Sequence, residues 1–176
     1  MSVTEPSGPS IVPATREHIP AILETYAHAR RLQETRGAER WPEFALEEVL
    51  AEIDAERLLC VLDGQTVAGV FSIAYEDRAL WDERERNDHL YLHRIAKSES
   101  AAGLSLVDVA LAWARARCHQ LGRSGVRMDT WASNTALIAI YERRGFAVVA
   151  RKHVGRDPRL PAQYQNNDFV LLEERS

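Results

Sequence analysis

The spacing of apolar and polar residues divides the chain into short blocks of different period. IVPAT (Ile11 to Thr15) is apolar and bounded by prolines, which predicts a first strand, and Thr15 is placed to cap the helix after it. From Glu17 to about Glu34, Ile19, Ile22, Leu23, Tyr26, Ala27 and Ala29 recur at helical spacing. ETRGAERWP is a loop punctuated by Gly37 and Pro42. FALEEVLAEIDAE is a second helix, apolar at 46, 49, 50 and 53. RLLCVLDGQTVAGVFSIAYE holds two β-rich runs around Asp63-Gly64, a hairpin signal. DRALWDERERND reads as a charged loop, its DERERND run solvated, and HLYLHRIA as a further central strand. A helix from Leu106 to about Leu121 ends on Gly122, and GVRMDTW is a strand. Ser133-Asn134 can cap a helix through Arg144 that Gly145 ends; FAVVARKHV and NNDFVLLEE are the last strands. The order is β-α-α-β-β-β-α-β-α-β-β, a mixed α/β (α+β) arrangement of helices packed over one sheet.

With no internal repeat or linker, residues 11–176 read as a single domain behind a disordered lead, 1–10. Composition fits: 176 residues at 45% hydrophobic and 27% charged suffice for one buried core. Two cysteines, Cys60 and Cys118, are too few for a disulfide framework and lack metal-ligand spacing, so no metal is expected. The net charge of −4 argues against a nucleic-acid partner, which would need a clustered basic face. The basic residues of ERRGF and ARKHVGRDPR read mostly as solvated surface. No apolar run of 18 residues exists, so no membrane partner is expected. MSVTEPSGPS has no basic and apolar regions of a signal peptide, and a reducing, cytoplasmic setting is the expectation.

The stretch SESAAGLSLVDVALAWA (Ser98 to Ala114) joins a strand to a helix N-terminus. Such a junction aims backbone N–H groups and the helix dipole at anions. Yet it has one glycine, and no Lys or Arg until Arg115.

The tract LYLHRIA … LVDVALAWARARCHQLG … VRMDTWASNTALIAIYERRGF resembles the GCN5-related N-acetyltransferases, most specifically in DTW, Asn134 and LIAIYERRGF. IVPAT and its following helix look like that family's opening. The resemblance implies a mostly antiparallel sheet of about six to seven strands with about four helices, and acetyl transfer from acetyl-CoA to an amine by direct attack in a ternary complex. It places Tyr141 as the acid for the leaving thiolate, Asn134 on the pantetheine arm, a carbonyl-polarising backbone N–H near Ile95 and Ala96, and Lys97 beside the cofactor. Plain core packing is the alternative for Tyr141, and simple N-capping for Asn134.

The family's pyrophosphate loop, Q/R-x-x-G-x-G/A, maps in two registers. One puts Ala102, Ser105 and Val107 at the marked positions and loses all three; the other puts Ser100, Gly103 and Ser105 there and keeps one glycine. We favour the first. The cradle then spans Ala102, Gly103, Leu104, Ser105, Leu106 and Val107, and the open question is whether Leu104 and Val107 cover its amides. A catalytically inactive binding or sequestration protein on the same fold is the competing function.

On the acceptor side, Glu76 is the leading base and Asp129 its rival; Trp41, Trp81, His93 and Trp131 are further pocket candidates beside Arg31, Gln33 and Glu34. Strand alternation puts Tyr91, His93 and Ile95 on one face and Leu90, Leu92 and Arg94 on the other. A buried, satisfied core histidine is the plainer reading of His93. The expected acceptor is a small-molecule amine, and the expected assembly a homodimer, from family habit alone.

Overall fold

The structure, a computed structural model, describes residues 8–175. Strands β1 (Ser10–Pro13), β2 (Leu58–Asp63), β3 (Thr66–Ala74), β4 (His89–Lys97), β5 (Gly125–Trp131), β6 (Phe146–Val154) and β7 (Asn167–Glu174) form one sheet in the order β1-β2-β3-β4-β5-β7-β6. The helices are α1 (Ile19–Thr35), α2 (Leu46–Asp54), α3 (Arg78–Trp81), α4 (Leu106–Leu121) and α5 (Thr135–Glu142). Every strand pairing is antiparallel except β4 with β5, which the α4 crossover joins in parallel. Of the expected lead, residues 1–7 lie outside the described residues, and Ser10 already belongs to β1.

Helices cover both faces of the sheet. Leu59 and Val61 of β2 pack with Ala110, Leu111 and Ala114 of α4, while Leu58 and Cys60 pack with Ile22 of α1 and Val49 of α2. A strand buried on both sides needs an unbroken apolar run, which is why LLCVL does not alternate. The hairpin turns on Gly64, whose φ of 61° is open to glycine at no steric cost. Gly122, at φ 64°, ends α4 at the expected stop, and the N–H of Arg123 returns to Cys118.

The run DRALWDERERND departs from expectation. Asp77 caps the short helix α3 through a bond from Leu80 N–H to its Oδ1 (3.3 Å), and Leu80 and Trp81 are buried against Tyr91, Trp131 and Leu171. Glu85 is also buried, accepting hydrogen bonds from the Tyr91 hydroxyl (2.5 Å) and the amides of Asp77 (2.7 Å) and Asn87 (2.6 Å). The segment is a loop only in part: DRALW holds a buried turn of helix, whereas in DERERND only Glu85 is buried and Asp82, Glu83, Arg84, Arg86 and Asn87 are exposed.

Candidate active site

Two irregularities open the sheet. β4 pairs with β5 only from His89–Leu92 to Gly125–Met128, and beyond this the strands splay. On the other edge of β4, Arg94 and Ile95 together stand opposite Phe71, a β-bulge, with Arg94 at φ 50°. The bulge reverses the alternation. Ile95 packs with Leu90 and Leu92 on the α4 face, and Arg94 crosses to the α2 face, so the expected assignment fails for both. Arg94 there lies over the Phe44 ring (4.7 Å) and bonds Glu52 (2.6 Å).

The splay leaves a cleft lined by His93 and Ile95 from β4, Asp129 and Trp131 from β5, and Asn134 and Tyr141 from α5. Tyr141 is 5% exposed, and its hydroxyl has no hydrogen-bond partner among the described residues. Burial, with Asp129 adding to it, pushes its phenol well above the ordinary tyrosine value, so it stays protonated at neutral pH. Asn134 caps α5, accepting from Leu137 N–H (3.2 Å), and also faces the cleft. Capping and cleft contact therefore coexist in one side chain.

His93 sits between two carboxylates. Its Nδ1 is 3.3 Å from Asp129 Oδ1 and its Nε2 is 3.6 Å from Asp77 Oδ2. Burial alone would lower the imidazole's pKa, but the contact with Asp129 and the charge of Asp77 outweigh it, and the net direction is upward. Desolvation pushes Asp77 up to about 6 against the pull of His93. Asp129 accepts a bond from the Tyr164 hydroxyl at Oδ2 (2.8 Å), whereas its buried Oδ1 has no well-aligned hydrogen-bond donor among the described residues. The plain core-histidine reading misses this environment.

A second cavity, of roughly 300 Å³, adjoins the cleft and shares His93, Arg94, Gln163 and Tyr164 with it. Glu76 lies here, past the end of β3, with its half-exposed carboxylate on Arg78 (3.2 Å). Its neighbour Asp77 is the carboxylate that reaches His93. Trp81 lies outside both cavities, buried beneath the Arg127 guanidinium at 4.3 Å. Trp41 and Gln33 line the cleft, joined by a Trp41 N–H bond to Gln33 Oε1 (2.9 Å), and Trp131 lines it with its indole donating to Gln163 O (3.3 Å). Arg31 instead pairs with Glu24 (3.0 Å) and Glu34 with Arg40 (3.2 Å).

Between β4 and α4, Gly103 takes φ 84° and Ser105 is the N-cap residue without capping by its own side chain. Leu104 N–H is bonded to Ala101 O (3.3 Å), but the N–H groups of Gly103, Ser105, Leu106, Val107 and Asp108 have no partner among the described residues. Leu104 and Val107 pack against the core and Leu106 is buried, so these side chains turn inward, while Ala102, Gly103 and Ser105 are exposed. Cations missing from the loop arrive from elsewhere. Lys97 donates to Leu104 O (3.3 Å), and Arg144 at the end of α5 bonds Asp108 in the first turn of α4 (2.6 Å).

Sequence reasoning missed Asp77, Tyr164 and Arg94. The first two are isolated polar residues without a local pattern, and the third owes its place to the bulge.

Comparison with known proteins gives the arrangement its family. The model of the acetyltransferase (GNAT) family matches residues 21–146. An uncharacterized N-acetyltransferase of Bacillus subtilis (strain 168), YesJ, is 25% identical over 142 residues, covering 76% of this chain and 79% of its own length. A GNAT-family acetyltransferase from Listeria monocytogenes 4b F2365 superposes with a TM-score of 0.71 at 20% identity, covering 94% of each chain. yncA from Salmonella typhimurium, solved with its cofactor acetyl-CoA, superposes with a TM-score of 0.65 at 19% identity, covering 95% of this chain and 93% of that one. The chain thus belongs to the acetyltransferase (GNAT) family and is an N-acetyltransferase.

Proposed function

We propose that this chain transfers an acetyl group from acetyl-CoA to the amine of a small molecule, with the cleft between β4 and β5 as the site of transfer. The observation that carries this reading is the protonated, unpartnered Tyr141 hydroxyl in the splay, beside His93 and its carboxylates. The residues fit the cofactor. The amides of Gly103 and Ser105 to Asp108 form an anion cradle for the pyrophosphate, with the α4 dipole behind them. Lys97 stands at its edge. The unpaired edges of β4 and β5 offer backbone groups to an extended pantetheine chain, as to an added strand, and Asn134 keeps its amide nitrogen free for it.

Acetyl-CoA, when bound, supplies a thioester and a thiol leaving group. The backbone N–H of Ile95, within the bulge, serves as donor to the carbonyl oxygen as it gains charge. An attacking amine must be neutral. His93 stands where the two cavities meet, and its raised pKa makes it a stronger base than free imidazole. It takes the amine's proton, and the two carboxylates stabilise the imidazolium. The new N–C bond forms as the C–S bond breaks, and Tyr141 gives its phenolic proton to the leaving sulfur. This assigns the base role to His93 in place of Glu76.

The test has two arms. Calorimetric titration with acetyl-CoA measures the cradle, and thiol release with a panel of amines measures turnover. Tyr141→Phe is expected to bind acetyl-CoA as the native chain does while kcat falls by about 10²-fold or more. Turnover unchanged in that variant overturns Tyr141 as the acid. Absence of binding at millimolar acetyl-CoA overturns the transfer reading and favours a sequestration protein.

A further inference from the structure

Resting on that reading, we infer that the cavity beside His93 selects an acceptor that is both amine and acid, such as a free amino acid, and that Arg57 holds the acid group. The cavity floor is Ser72, Ile73 and Ala74 of β3. On the β4 side stand His93, paired across the ladder with Ser72, and Asp77. Arg57 precedes β2 on the opposite side, fixed by the bond from Ile73 N–H to its carbonyl (2.8 Å). The Arg57 cation and the His93 base thus stand on opposite sides of β3, about two strand spacings or roughly 10 Å apart at the backbone. That gap is spanned by a small zwitterion together with an extended arginine side chain.

The cations of the cavity are not equivalent. Arg94 is held by Glu52 at 2.6 Å. Arg159 is clamped on Asp157 at 2.5 Å. The guanidinium of Arg57 has no hydrogen bond or ion pair among the described residues, although Glu52 and Glu56 lie nearby in sequence. It is the uncommitted cation of the cavity, and a guanidinium is suited to bidentate capture of a carboxylate. The acidic wall is uncommitted in the complementary sense. Among the described residues Asp77 has no cationic partner other than His93, and Asp129 lies beyond His93 in the adjoining cleft. An ammonium group is drawn to Asp77 and His93, where it loses its proton, while the acid end pairs with Arg57. A polycationic acceptor would place a second positive charge against Arg57, which the cavity disfavours.

The experiment compares amines that differ only in the acid group. Thiol release is measured with the common L-amino acids, with their carboxamides, and with spermidine, using the native chain, Arg57→Gln and Arg57→Lys. Acetyl-CoA binding is titrated for each chain, and circular dichroism reports the fold. The native chain is expected to favour at least one amino acid over its carboxamide by 10-fold or more in kcat/KM. Arg57→Gln should remove this preference through KM with little change in kcat, and Arg57→Lys should restore part of it. Turnover of carboxamides or spermidine as good as that of every amino acid overturns the inference and leaves acetyl transfer standing. So does a preference that survives Arg57→Gln. Loss of acetyl-CoA binding by the native chain overturns the transfer reading itself.

Discussion

Asp77 carries the clearest pH signature of any single residue in the site. Its carboxyl faces His93, with the charges of Asp129 and Glu85 opposing its ionisation and the Leu80 amide favouring it. The balance, dominated by burial, raises it from 3.8 to about 6. A raised carboxyl pKa means that the folded chain holds this proton more tightly than the unfolded chain. Its stabilising effect is therefore complete below about pH 4 and lost as pH rises through 6. The shift is worth about 3 kcal/mol. Asp77→Asn removes the titration, so the variant should gain on the native chain by up to that amount between pH 3.5 and 7.5. Urea unfolding of both chains across this range checks it, and a constant difference between them would show that Asp77 titrates normally.

At the scale of elements, the site is made by what interrupts the strands and by how α4 is seated. Gly69 of β3 lies under the first residue of α4. A methyl group there would stand 2.6 Å and 2.7 Å from the two Leu106 methyls and 2.9 Å from the Ala96 carbonyl oxygen. The leucine could turn away, but the backbone oxygen could not. Gly69→Ala is expected to cost about 1–3 kcal/mol in stability and to push the α4 N-terminus outward. Acetyl-CoA affinity should fall by more than the loss of fold explains, as titration at a temperature well below unfolding would show. Unchanged affinity would mean that the α4 seat does not govern the cradle. α4 was legible from its own residues because its periodicity and Gly122 agree. The β4 bulge was not. HLYLHRIA alternates as a regular strand does, and Arg94 enters positive φ without a glycine to announce it. The same lack of a signal hid the orientation of Ile95. The junction before α4 was legible in position, but that Leu104 and Val107 pack inward shows only in the fold.

At the scale of the whole molecule, the parts misread from sequence are those held by long-range contacts. α3 is one turn of helix, too short for periodicity, and its apolar face is matched by Tyr91 and Trp131 from later strands. Its anchor is Arg127 of β5, 5% exposed, which bonds Glu173 (2.8 Å), Arg84 O (2.8 Å) and the Tyr91 hydroxyl (3.0 Å) and lies over Trp81 (4.3 Å). Tyr91 in turn donates to Glu85, which accepts from the Asp77 amide. One chain of bonds thus runs from β7 through β5 and β4 to the backbone N–H of Asp77, whose carboxylate lies beside His93. Removing Arg127 leaves Glu85 buried without its nearby positive charge and empties the space over Trp81. Arg127→Ala should destabilise by about 3 kcal/mol, a fall in Tm of roughly 6–12 °C. Glu173→Gln, which leaves Arg127 its bonds to Tyr91 and Arg84, should cost much less. If the strut also positions the site, Arg127→Ala assayed well below its own Tm should lower kcat while leaving acetyl-CoA affinity intact, because Asp77 shifts and the α4 cradle does not. Loss of both in equal measure would mark Arg127 as a support of the fold alone.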